Sequence, residues 1–250
     1  MLLKVKAAAC AAMLLLACVW ASAPARAQEK SAIKEGFTLP AGSAKILLFR
    51  PSIKVGAQST GGLFEPNADW TDEAKTNIGA ALSAMQSKLG NQIIVPEEPV
   101  GEAAQVLAEY RALFSTVAGA VITYKFFAGN RLPTKKREGV FDWTLGPGVK
   151  DIPGAAEADY ILFIYTEDQF GSTGRKAVQL LAALARVHVE SGVHKGFAGL
   201  VDIRTGDLVW LNADLRMGGD VRTTEGAQKR VTQLLEDFPG RPLATGTGAK

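Results

Sequence analysis

The sequence predicts an α/β fold of the α+β kind: one domain in the order β-α-β-α-β-α-β-β-α. Its sheet is mixed, ends in an antiparallel hairpin and is flanked by helices. Three observations carry this. Residues 45–50 (KILLFR) and 160–165 (YILFIY) are continuous apolar runs, as strands buried on both faces require. Stretches with apolar residues three and four apart separate the early strands, so the chain crosses over between parallel partners. Finally, Arg204, Thr205, Gly206 and Asp207 join two β-rich stretches through a turn in which glycine accepts a positive φ.

The elements follow in order. Residues 28–43 read as a loosely held lead-in to a domain spanning 44–240. The run 45–50 is the first strand, and 56–69 (GAQSTGGLFEPNAD) is loop by composition. Trp70, Ala74, Ile78, Ala81, Leu82, Met85 and Leu89 line one face of the first helix, with Asp72 and Glu73 near its start and Gly90 at its stop. Ile93, Ile94 and Val95 form a short strand closed by Pro96, and Glu97 and Glu98 are solvated residues leading into the next helix. That helix runs from about Glu102 to about Lys125, with Leu107, Tyr110, Phe114 and Val117 on one face. Residues 128–157 are mostly loop, and 160–165 is the clearest buried strand. Residues 175–187 are helical and almost wholly apolar, which fits a packed core helix or a surface for a partner. Strands at 197–203 and 208–215 form the hairpin. The last helix buries Ala227, Val231, Leu234, Leu235 and Phe238, and 241–250 reads as a disordered tail.

The chain has 250 residues, and its ends bear on where it goes. Residues 1–27 combine Lys4 and Lys6, a short apolar segment and Ala25-Arg26-Ala27, the pattern of a secretory signal cleaved before Gln28. Cleavage there removes three of the 28 basic residues, none of the 25 acidic ones and both cysteines, so the charges balance. Such a product is excluded from thiol catalysis, disulfide bonding and cysteine-ligated metal sites, and it lacks the basic surplus that nucleic acid demands. Two rival readings are an uncleaved anchor and a lipobox at residues 15–18, which would leave Cys18 acylated and the protein tethered to a membrane.

The segment 158–163 (ADYILF), followed after a variable helix by 199–210 (GLVDIRTGDLVW), resembles a pattern in bacterial envelope proteins. It is similar to the α/β domain shared by CsgG, the N-terminal domain of TolB, and LpoB. With 58–67 (QSTGGLFEPN) and 141–148 (FDWTLGPG), the hairpin looks closest to an uncharacterised group of proteobacterial secreted proteins. The resemblance implies a central strand at 160, a late hairpin, and a periplasmic accessory or interaction role in envelope assembly or maintenance, without catalysis. It implies an envelope protein as partner and leaves a homo-oligomer open. No alternating pair of about ten-residue segments suggests a membrane pore.

Candidate chemistry is sparse. Gly171, Ser172, Gly174, Arg175 and Lys176 follow a strand and open a helix, where backbone N–H groups and cations can hold an anion or serve simply as a capped start. Glu167 and Asp168 end the same strand, the usual place for ligands in α/β sheets. A hydrolase or small-anion module at this corner is the alternative function, although adjacent strand residues point to opposite faces. His188, Glu190 and His194 are a weak metal set, against which stands the plainer reading of two exposed loop histidines. Arg131, Lys135, Lys136 and Arg137 form a basic loop suited to an acidic partner or lipid. Leu181 and Leu184 mark the partner surface of the apolar helix. No cofactor is expected.

Overall fold

The computed structural model describes residues 30–40, 42–127, 130, 140–187, 189 and 192–240. The leader with Cys18, the basic loop with Arg131, Lys135, Lys136 and Arg137, the residues His188 and Glu190, and the tail lie outside the described residues.

Among the described residues the domain is α/β, with one mixed sheet of nine strands. These are β1 (Ser31–Ile33), β2 (Lys45–Leu48), β3 (Ser52–Gln58), β4 (Phe64–Pro66), β5 (Gln92–Ile94), β6 (Trp143–Thr144), β7 (Tyr160–Gly171), β8 (Val193–Asp202) and β9 (Asp207–Asp214). The helices are α1 (Ala68–Gln86), α2 (Glu102–Val121, prolonged by a π-helical turn Ile122–Phe126), α3 (Thr173–Leu184) and α4 (Thr224–Leu234).

β7 organises the sheet. Along one edge it pairs antiparallel with β8 from Tyr160 opposite Asp202 to Gln169 opposite Val193. Its other edge is shared. Residues 160–162 take β2 and residues 165–171 take β3, both parallel. The break between β2 and β3 falls at Pro51, which has no N–H to give a ladder. The expected loop 56–69 is therefore shorter. Gly56, Ala57 and Gln58 finish β3, Phe64, Glu65 and Pro66 form β4, and only 59–63 turns between them. The polar second half of β7, beyond the apolar run 160–165, supplies the ladder on which β3 forms.

Residues of β2 and β7 alternate between two cores, which is why their apolar runs are unbroken. Ile46, Leu48, Leu162 and Ile164 pack beneath α1 and α4 with Ile78, Leu82, Val231 and Leu235. Leu47, Phe49, Ile161 and Phe163 pack beneath α2 with Leu107, Phe114, Ala118 and Val121. By length and composition Glu102–Phe126 could cross a membrane, but its inner face belongs to this second core. Asn67 caps α1 by accepting the Trp70 N–H at 2.9 Å, and Thr223 caps α4 at Gly226. The 204–207 turn is as expected, with Gly206 at φ +77° and the Asp202 carboxylate accepting the N–H groups of Arg204 and Thr205.

Besides the 56–69 loop and, at the site, His194, three expectations need correction. Part of the lead-in is not loose: β1 pairs with β9, and Lys30 and Lys34 form ion pairs with Asp214 and Asp207. Ala32 gains burial there while β1 and β6 cover the outer edge of β9. Glu98 is not merely solvated. It pairs with Arg111 at 3.0 Å and accepts the Arg50 N–H, bracing the β2–β3 break. The third concerns α3, and its consequences belong to the site.

Candidate functional site

The end of the molecule where β7 runs into α3, β8 begins and β3 turns into β4 gathers most of the residues singled out by sequence. Strand alternation separates Glu167 from Asp168. On one face Glu167 accepts hydrogen bonds from Tyr165 Oη at 2.6 Å and Gln169 at 2.7 Å, with Lys195 opposite it at 3.2 Å. Burial pushes the Glu167 carboxyl up, but the Tyr165 and Gln169 hydrogen bonds and the Lys195 ammonium outweigh it and leave the group below the usual glutamate range. Burial and the Glu167 hydrogen bond raise the Tyr165 phenol. A carboxyl with a depressed folded-state pKa contributes stability that is fully present above its unfolded value and lost as pH falls through the folded one. Glu167→Gln is therefore expected to flatten the fall in urea stability below about pH 4.3, measured against the parent chain across an acid series.

On the other face lies a network that sequence reasoning missed. Asp168 and Arg230 are both fully buried. Arg230 Nη1 donates to Asp168 Oδ2 at 2.7 Å and Nη2 to Oδ1 at 2.8 Å; Nη1 also reaches Thr166 Oγ1 at 2.5 Å. His194 stands directly across the ladder from Asp168, with Nδ1 2.7 Å from Oδ1. It is thus no exposed loop histidine: β8 begins before it, and the register seats it on a carboxylate. Phe170 contacts the imidazole edge-on at 5.1 Å, while the Arg222 guanidinium stacks over Phe170 and Trp70 and pairs with Asp220.

A carboxylate holding a histidine is also how catalytic dyads are built. Here both oxygens of Asp168 are engaged by Arg230, and among the described residues no hydroxyl is hydrogen-bonded to His194. Nor do the described residues contain a group of three or more ligand-type side chains able to hold a metal ion.

Ser172 caps α3, accepting the Arg175 N–H at 3.2 Å. Gly174 lies against Thr60, and the Arg175 side chain donates to the Thr60 carbonyl. Lys176 is exposed. These residues thus start a helix and pack it on the 59–63 turn, with Glu167 and Asp168 turned to separate sets of partners.

α3 overturns the core-helix reading, for none of its residues is buried. Its partly buried side, Gly174, Val178 and Ala182, faces the body and carries the smaller apolar residues. The opposite side carries Leu180, Leu181 and Leu184, exposed by 65%, 66% and 77%, with Val187 just beyond at 56%. The amphipathic helix is inverted, with its larger apolar side chains in water. Leu63, on the β3–β4 turn against which Gly174 packs, is 74% exposed. Leu181 and Leu184 therefore lie where a partner could reach them.

A second feature had no sequence signal. At the β2–β3 break Arg50, Ser52, Lys75, Thr76, Glu98 and Arg111 line an open groove of about 600 Å³. Only the fold brings these residues together, since they come from β3, α1, α2 and two loops.

Comparisons with known proteins leave the family open. No family model matches the chain, and no curated protein matches it. Two crystal forms of the PelC dodecamer from Paraburkholderia phytofirmans are similar in outline. One, a leucine-to-methionine variant, has 12% identity and a TM-score of 0.37 over 84% of this chain and 98% of that one. The other has 12% identity and a TM-score of 0.36, covering 85% and 99%.

Proposed function

We propose that this chain is a non-catalytic interaction protein of the bacterial envelope, exported by its leader to the periplasm and docking through α3. The observation that carries the reading is the inverted amphipathic helix, whose exposed leucines gain by leaving water only when something covers them. The leader-like residues 1–27 and the likeness of 158–163 and 199–210 to envelope proteins support the compartment. Its partners are envelope components, a protein among them. The alternative, a hydrolase or anion module at Glu167, Asp168, Gly171, Ser172, Gly174, Arg175 and Lys176, is the weaker reading because the two carboxylates serve different internal networks.

The test is a photoreactive residue placed in living cells at Leu184 or, as a control, at Val100, which is 85% exposed between β5 and α2. Adducts with envelope components are expected at 184 and not at 100. Absence of adducts at both positions, together with turnover by the purified protein of a panel of hydrolase substrates, would reverse the reading.

A further inference from the structure

We infer that the component met by α3 is an anionic lipid surface, on which the helix lies flat with Leu180, Leu181 and Leu184 in the acyl boundary. The inference rests on the reading of α3 as a docking element and names what it docks on.

Charge selects the occupant. Residues 172–187 contain Arg175, Lys176 and Arg186 and no acidic residue, although basic and acidic side chains balance over residues 28–250. At 100° per residue, Ala177, Leu180, Leu181 and Leu184 form one stripe and Lys176 borders it, whereas Arg175 falls on the body-facing side and donates to the Thr60 carbonyl, and Arg186 follows the end of the helix. A short helix with a strong apolar face, a lysine at the border of that face and no acidic residue is the form that lies in a membrane interface and is drawn to anionic headgroups. A second copy is a poor occupant, since neither α3 carries an acidic residue to meet Lys176 of the other. Placement agrees. α3 meets the body at the end of β7 and, through Gly174 and Arg175, at the 59–63 turn, which leaves the stripe of Leu180, Leu181 and Leu184 uncovered.

The experiment uses a chain beginning at Gln28, which retains every described element and has no leader to bind lipid. It is mixed with vesicles of phosphatidylcholine, with and without phosphatidylglycerol. Binding only to the anionic vesicles is expected, falling with salt. Lys176→Glu is expected to weaken it at least about five-fold, and Leu181→Glu with Leu184→Glu by more than about ten-fold. Those leucines are exposed, so circular dichroism should be unchanged. Because residues 28–250 contain no cysteine, Leu184→Cys gives one labelling site. An environment-sensitive dye there should shift to the blue on anionic vesicles, whereas one at Val100→Cys should not.

Equal binding to both vesicle types, no binding to either, or binding unchanged by the double glutamate variant would overturn the lipid assignment. So would a self-associated species that this variant dissolves, which would make a second copy the occupant. If vesicles fail while position 184 still crosslinks to an envelope protein in cells, only the lipid assignment falls. If neither occurs, docking through α3 falls with it.

Discussion

Replacing Arg230 by methionine is expected to destabilise the protein by about 3–5 kcal/mol, read from urea unfolding near neutral pH. Both Arg230 and Asp168 are 0% exposed, and the guanidinium engages both carboxylate oxygens with charged donors in fork geometry. Methionine fills a similar volume, so the loss measures a buried carboxylate left with Thr166 and His194 and not a cavity. The pair itself is costly to desolvate, and Arg230 Nε has no hydrogen-bond partner among the described residues. Asp168→Leu combined with Arg230→Met should therefore recover most of the loss. A single variant as stable as the parent would mean that the carboxylate reaches water.

Arg230 also shows where the sequence was legible and where it was not. It lies three residues after Ala227 and four before Leu234, on the apolar stripe assigned to the last helix. A cation in that position asks for a buried anion, and this was the available signal. What periodicity could not supply was the register that places Asp168 and His194 opposite one another. The β7–β8 ladder extends beyond the apolar run 160–165 that marks the strand, into a polar stretch, Thr166 to Gly171, with no apolar pattern to set a register. The same extension hid β3 and β4. Runs buried on both faces, such as residues 46–49 and 161–164, declared themselves because every position is apolar. The apolar composition of α3 fitted a core helix and a partner surface alike, because composition cannot say which element the fold leaves uncovered. The groove at Arg50 draws on separate elements and left no local trace.

Phe114→Ala is expected to cost about 3–5 kcal/mol. Here the sequence and the structure agree on the residue, and the structure adds its seat. The ring is 2% exposed, stacks on Phe163 at 5.0 Å and tilts against Phe197 at 5.7 Å. Gly199, directly opposite Phe163 across the β7–β8 ladder, leaves the space it occupies. A Cβ on Gly199 would stand 2.6 Å from Phe114 Cε2, so Gly199→Ala should itself destabilise, by about 1–3 kcal/mol through overpacking. The two changes are not independent, because the methyl group that clashes with the ring enters the space that Phe114→Ala empties. The double variant should lose less than the sum of the two single losses, a coupling that a urea double-mutant cycle resolves. Strict additivity would mean that α2 is not held on the sheet by a ring seated against Gly199. The Leu208 methyl 3.0 Å from the same Cβ position sets how much of the overpacking survives in the double variant.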